Sequence, residues 1–321
     1  MATIIPAFNR NDVQFTLSIG LPKVLEDFSR NVIMDVVNTC HTSPLHISEI
    51  NVVDSNTSDE VVKRTFPNQA FMHNSLGDSK GKCIGLQAGN TITNYIYLAV
   101  ELFYDLYLVR DNYRDTIQYY VLHHEFGHCY DHNIRSEIIS PPYQSATIYN
   151  KSLADDYYSY MFRGELSACF HSASNLPLRY YDEHMDKVAH IYKTYHDFLV
   201  QRLQKTSLVS NERYIENLYF TVADLSWSLI ASAFSQVMGY RIGDLRFNAI
   251  PPYCPTNLPT SMYGELIYLE QRIRPIFNYP NFNQAIMTEL LITVDRIAAL
   301  HGCTFAQSNG RDIVLIDGFN R

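Results

Sequence analysis

The chain has 321 residues, 46% hydrophobic and 18% charged, the makeup of a core-forming globular protein with room for one large domain or two smaller ones. Its 25 Lys and Arg against 33 Asp and Glu give a net charge of −8, so neither nucleic acid nor an anionic membrane is an expected partner. Cysteines 40, 83, 129, 169, 254 and 303 form no CxxC pair and no regular spacing, which argues against a disulfide framework or a zinc knuckle. Residues 1–20 lack a signal-peptide apolar core, and the longest uncharged stretch, Cys83–Val100, carries Gln, Asn, Gly and Thr throughout and does not read as membrane-spanning. A soluble protein of the reducing cytoplasm is expected. The 24 tyrosines, beside the single Trp227, are read as amphipathic core fillers.

In chain order, residues 1–20 read as irregular or as a short strand. Leu21–Thr39 is a helix, because Val24, Leu25, Phe28, Val32, Ile33, Val36 and Val37 recur at helical spacing. His46–Val53 alternates like a strand, and the polar run Asp54–Glu60 follows as a turn. Ala70–His73 and Lys82–Gln87 are short strands set apart by Gly77-Asp78 and Gly81. Tyr95–Arg110 reads as an apolar, Tyr-rich helix and Asp115–His132 as a second, with no Pro before Pro141-Pro142. Ser152–Ala173 is a helix with Ser152 as N-cap, Asp155 and Asp156 in its first turn, and Asn175-Leu-Pro177 to end it. Beyond Pro177 the helices Tyr181–Gln204, Glu212–Met238, Tyr263–Phe277 and Asn283–His301 precede a hairpin over Gly302–Phe319, turned at Ser308-Asn309-Gly310. The composition shift at about residue 178 separates residues 1–178 from a mainly helical 179–321, as two regions or one continuous globule.

The chemistry concentrates in His124-Glu125-x-x-His128. On a helix, residues four apart lie about 40° apart around the axis and about 6 Å along it. Two imidazoles so placed can close on one metal with Zn–N bonds of ~2.0–2.1 Å, and Glu125 can take a proton from a water on the same metal. A third ligand is needed. His132 lies roughly 12 Å of axis from His124, too far for a straight helix, and is read as a supporting group or a helix C-terminal imidazole. A further pattern with Gly at 131 and His at 134 is absent, since Asp131 and Ile134 stand there, which excludes a metzincin. Glu165 is the leading candidate, 37 residues after His128 and flanked by the small Gly164, Ser167 and Ala168; Asp155, Asp156 and Glu137 are the alternatives. Cys129 and Cys169, which flank these positions, are read as buried small hydrophobes.

This arrangement resembles the gluzincin metallopeptidases. His-Glu-Phe-Gly-His-Cys-Tyr-Asp-His132, with Glu165-Leu-Ser-Ala168 later, is most similar to the ImmA/IrrE-type intracellular metallopeptidases, which commonly show H-E-L-G-H, a further His four residues on, and E-x-x-A. Arg114 matches a basic residue ahead of their motif helix. The resemblance covers about residues 45–175. Asn90–Asn112 reads as a helical insertion relative to it, and Cys169 stands where thermolysin-like enzymes carry Asp. It implies an α+β fold: a zincin-like core of small mixed sheet, motif helix and ligand helix, followed by the helical C-terminal region. It also implies an edge strand that pairs with extended substrate, for which Lys82–Gln87 is the candidate, with a buried core strand as the equal alternative.

The expected function is hydrolysis of a protein or peptide substrate by a zinc-dependent peptidase. His124, His128 and Glu165 would hold Zn2+, with Glu125 as general base. Tyr157, Tyr158, Tyr160, Arg163, His171 and His184 are candidates for stabilising the oxyanion. Absence of G-x-M-x-N favours an endopeptidase over one large aminopeptidase family. The alternative is an inactive or regulatory metal-binding protein that works through a partner.

Overall fold

The computed structural model describes residues 14–17, 21–39, 47–54, 80–88, 91–134, 151–206, 222–223, 226–227, 229–249, 258–277, 282–308 and 311–316. The expected strand at 70–73, most of the turn at 54–60, Glu137 and the first ten residues of the expected 212–238 helix lie outside them. The described chain is α+β, mainly helical with a small mixed sheet. It divides into two compact units, Met1–Tyr143 with Ser167–Tyr180, and Gln144–Leu166 with Tyr181–Arg321.

The first unit is built on strands β1 (Gln14–Leu17), β2 (Ile47–Val53), β3 (Gly81–Ala88) and β4 (Thr91–Ala99), in the order β1-β2-β4-β3. β1, β2 and β4 run parallel, while β3 is antiparallel to β4 and ends the sheet among the described residues. The expected helix over Tyr95–Arg110 is corrected here. Tyr95–Ala99 closes the central strand β4, and the helix α2 begins only at Val100 and runs to Leu108. The expected helical insertion over Asn90–Asn112 is therefore a strand followed by a nine-residue helix. The cause is visible in burial: Ile96, Tyr97, Leu98 and Ala99 are all fully buried, because a central strand is covered on both faces and its sequence loses the alternation that marks a strand.

Residue alternation sorts the two faces of this sheet. Val53, Ile84, Tyr97 and Ala99 form one buried cluster, with Leu86 and Tyr95 packed against it. Cys83 opposes Ile96, and Gly81 opposes Leu98, so these residues and Asn94 belong to the other face. Helix α3 (Ile117–Ile134) packs on β3 and β4, and helix α1 (Lys23–Thr39) packs against α2 and α3.

One carboxylate ties α1 to the start of α3. Asp35 accepts from Tyr113 Oη at 2.9 Å, Tyr119 Oη at 2.9 Å, Arg114 Nε at 3.0 Å and Arg114 Nη2 at 2.6 Å. Arg114, matched above to a basic residue ahead of a motif helix, is thus one arm of this clamp. Thr116 completes the junction: its hydroxyl donates to Tyr113 O at 2.6 Å and accepts from Tyr119 N at 3.2 Å, capping α3.

The second unit holds the first sixteen residues of helix α4 (Lys151–Ser172), then α5 (Tyr181–Thr206), a π-helical turn (Ile230–Phe234), α6 (Ser235–Gly243), α7 (Leu245–Ala249), α8 (Thr260–Ile273) and α9 (Gln284–Leu300). The antiparallel strands β5 (Cys303–Ser308) and β6 (Arg311–Ile316) follow, within the hairpin expected over Gly302–Phe319. Asn283 starts α9 by accepting from Ala285 N at 3.0 Å and Ile286 N at 3.2 Å. Ion pairs clip α8 to α9: Arg296 Nε to Glu265 at 2.5 Å and Arg272 Nη2 to Glu289 at 2.7 Å. Glu270 takes both Arg241 and Arg274. No described helix is long and apolar enough to cross a membrane.

The Asp35 clamp gives a pH-dependent prediction. Burial raises the Asp35 pKa, but the hydrogen bonds from Arg114, Tyr113 and Tyr119 and the Arg114 charge outweigh it, and the folded-state value falls below 3.8. The unfolded state therefore binds the proton more readily, so this stabilisation is complete above about pH 4 and fades as pH falls through the lower folded value. Arg114 is 64% exposed, so solvent screening keeps its share small. Asp35→Ala is expected to cost about 2 kcal/mol at pH 7 in urea unfolding, and less at pH 3.

Candidate metal centre

Helix α3 presents three faces, each with a separate task. Tyr119 and His123 turn toward α1. His123 Nε2 lies 3.5 Å from Thr39 Oγ1, and its ring meets Tyr119 edge-on at 4.7 Å. Burial pushes the His123 pKa down to about 4, against the pull of Asp35, so the imidazole is neutral. The sheet-facing side carries Glu125, Cys129 and His132. Glu125 is buried at 5% exposure, Cys129 Sγ lies 3.5 Å from Cys83 Sγ, and His132 Nδ1 lies 2.6 Å from Asn94 Oδ1. His132 thus ties the end of the helix to β4.

The third face carries Tyr120, His124 and His128. The rings of His124 and His128 are 4.8 Å apart and nearly perpendicular. His124 Nδ1 lies 3.2 Å from Tyr120 Oη and 3.5 Å from Cys169 Sγ. Cys169, in the position where thermolysin-like enzymes carry Asp, therefore contacts the first histidine of the motif. Cys129 and Cys169 are both fully buried, as expected of small hydrophobes.

Helix α4 supplies the third donor. His124, His128 and Glu165 each offer one ligand atom, and these atoms lie within 4.8 Å of one another. They form the one cluster of three or more His, Cys, Asp or Glu donors with metal-binding geometry found among the described residues. Ligands at ~2.0–2.2 Å from one tetrahedral ion would sit about 3.4 Å apart, inside the 4.8 Å limit that this cluster meets. Two imidazoles and a carboxylate form a donor set suited to zinc. Gln236 Nε2 donates to Glu165 Oε2 at 3.0 Å, holding the carboxylate from α6. The π-helical turn just before α6 holds an extra residue per turn and so sets which face of that helix carries Gln236.

Among the alternative ligands, Asp155 instead accepts from Trp227 Nε1 at 3.0 Å. Of the residues expected as oxyanion candidates, Tyr158 stacks on Trp227, the Arg163 guanidinium lies 5.7 Å from the centre of the Phe282 ring, and His171 stacks on Tyr130 at 4.4 Å. Burial pushes the His171 pKa down to about 4, against the pull of Asp131.

Two glycines permit the close approaches around this centre. A Cβ on Gly81 would lie 2.7 Å from Cγ of Glu125, so β3 can pass Glu125 only without a side chain there. Lys80, just before it, adopts φ 57°, a left-handed conformation that costs a non-glycine residue about 1–2 kcal/mol. A Cβ on Gly127 would lie 2.8 Å from both Cα and O of Ala168. The sequence points to Gly164, Ser167 and Ala168 as the small residues that let two helices meet; the facing member of the contact is Gly127, inside the motif itself.

No family model matches the chain, and no curated protein or solved structure matches it.

Gly127→Ala tests the helix contact. Alanine normally gains up to about 1 kcal/mol over glycine inside a helix. Here the added methyl meets backbone, which cannot rotate away, so a net loss of about 1–3 kcal/mol is expected in urea unfolding. A stability gain would contradict the packing described.

Proposed function

We propose that the chain is a zinc-dependent peptidase of gluzincin type, with a zincin-like core, acting in a reducing intracellular compartment. The reading rests on one observation above others: two histidines one turn apart and a glutamate from a second helix bring their donor atoms within 4.8 Å of one another, beside a buried glutamate in the same helix as the histidines.

In this reading His124, His128 and Glu165 hold the metal. Zinc held there would supply Lewis-acid chemistry for polarising the scissile carbonyl and acidifying an attacking water. Glu125 would accept a proton from the attacking water and deliver it to the leaving nitrogen. Its buried position against Gly81 restricts the carboxylate to few rotamers, which is the preorganisation a proton acceptor needs. Tyr120 and Cys169, both in contact with Nδ1 of His124, orient its ring. Gln236 orients Glu165 in the same way. Strand β3 ends the described sheet and begins beside Glu125, so an extended peptide added to it by main-chain hydrogen bonds would be drawn toward the metal.

The purified protein is expected to carry about one zinc per chain by elemental analysis, lost in His124→Ala and in His128→Ala. Full metal retention in either variant would remove the proposed site.

A second experiment separates the two glutamates. After a peptide-library or casein screen has found phenanthroline-sensitive hydrolysis, Glu125→Gln should keep zinc and fold but lose turnover. Glu165→Gln should weaken zinc binding and turnover together, because a charged ligand becomes neutral. Gln236→Leu should weaken zinc binding about tenfold or more while leaving residual turnover in excess metal. Wild-type turnover by Glu125→Gln would sink the general-base assignment.

A further inference from the structure

We propose that Cys83 and Cys129 form a reversible disulfide site that ties the end strand β3 to the motif helix α3. Their sulfurs lie 3.5 Å apart, and both are reduced thiols. A disulfide bond is about 2.05 Å long, so the sulfurs need to close by about 1.5 Å, a distance within reach of side-chain rotation. The two residues are 46 positions apart in sequence, so the fold, not chain proximity, brings them together. Cys83 also lies 3.7 Å from Asn94 Oδ1 and 3.9 Å from His132 Nδ1, which places the pair among polar groups and not in a purely apolar core. Cys129 is fully buried, and Cys83 on the end strand is half-buried as a residue with its thiol turned into the structure.

The co-reactant is a low-molecular-weight disulfide such as oxidised glutathione. Cys83 loses its proton and attacks one of its sulfurs, forming a mixed disulfide and releasing one glutathione thiolate. Cys129 then loses its proton and attacks the Cys83 sulfur, expelling the second glutathione. The two cysteines give up two electrons and two protons, and two molecules of reduced glutathione carry both away. Burial pushes the Cys83 thiol up, so the exchange is slow and must be read at equilibrium. The site makes no use of zinc and stands whether or not the chain is a peptidase. Its consequence is mechanical. The bond would fix β3 against α3 one residue from His128, between the segment that carries Glu125 and the strand that Gly81 begins.

The test equilibrates the native full-length chain with glutathione buffers from reducing to oxidising. Remaining thiols are then alkylated and the peptides mapped by mass spectrometry. The Cys83–Cys129 cross-linked peptide should be the main intramolecular disulfide, should disappear on return to reduced glutathione, and should raise the unfolding temperature of the oxidised chain. Cys83→Ser and Cys129→Ser should each abolish it, and Cys303→Ser should not. Three results would overturn the proposal: separate alkylation of both cysteines throughout, arrest at glutathionylated Cys83, or an equal yield of the same cross-link from the chain unfolded in urea. Because the mapping is done on the unaltered chain, a Ser variant that fails to fold leaves the test intact.

Discussion

Backbone contact between Gly127 and Ala168 is the constraint on which the candidate centre depends. Two helices can bring short donors such as imidazole and carboxylate to one point only if their axes approach closely, and here the approach leaves no room for even a methyl group. The motif supplies the glycine itself, between Glu125 and His128. Glu165 lies three residues before Ala168 on one continuous helix, so the contact that fixes Ala168 against α3 also fixes the turn that carries the carboxylate. Cys169, the next residue of α4, also meets α3, through Tyr120 and His124.

The helix α3 must also be held in rotation, since turning it by one residue step of about 100° would exchange His124 for His123. Three independent anchors prevent this. Asp35 collects four hydrogen bonds at the start of the helix, Gly81 accepts Glu125 in its middle, and Asn94 takes His132 near its end. The two adjacent histidines consequently lead different lives. His123 is a neutral core residue against α1, and His124 belongs to the donor cluster.

Much of this is legible in the sequence because helical periodicity acts over short distances. The relative placement of His124, Glu125 and His128 follows from the period of a single helix, as do α1, α9 and the limits of α4. Glu165 can be nominated but not fixed, because its relation to the motif depends on packing across a 37-residue interval. Asp35, Asn94 and Gln236 carry no sequence signal, and Gly81 shows in the sequence only as a strand boundary, not as the residue that makes room for Glu125. Each acts through a contact between distant segments, and Gln236 is 71 residues from the carboxylate it holds. Strand β4 misleads for a different reason. Burial on both faces erases the period-two pattern, so Tyr95-Ile-Tyr-Leu fits a buried helix as well as a strand. Of the small residues expected to let the helices meet, Ala168 is the one that faces Gly127.

The strand order has a kinetic consequence. β5 and β6 are joined by two residues, and α8 and α9 are near neighbours in sequence, so the end of the chain has mostly local pairings that form quickly. β2 and β4 pair in parallel with 37 residues between them, including the whole of β3. Closing that loop costs entropy before any ladder bond is gained, which makes the sheet the slower element to assemble. Gly81 and Asn94, the two sheet residues that hold Glu125 and His132, lie on the antiparallel β3–β4 pair, whose strands are joined by two residues and whose pairing is local. The motif helix and the hairpin that holds it are thus both locally encoded, and the parallel pairing of β2 with β4 is the long-range step that joins them to the rest of the sheet.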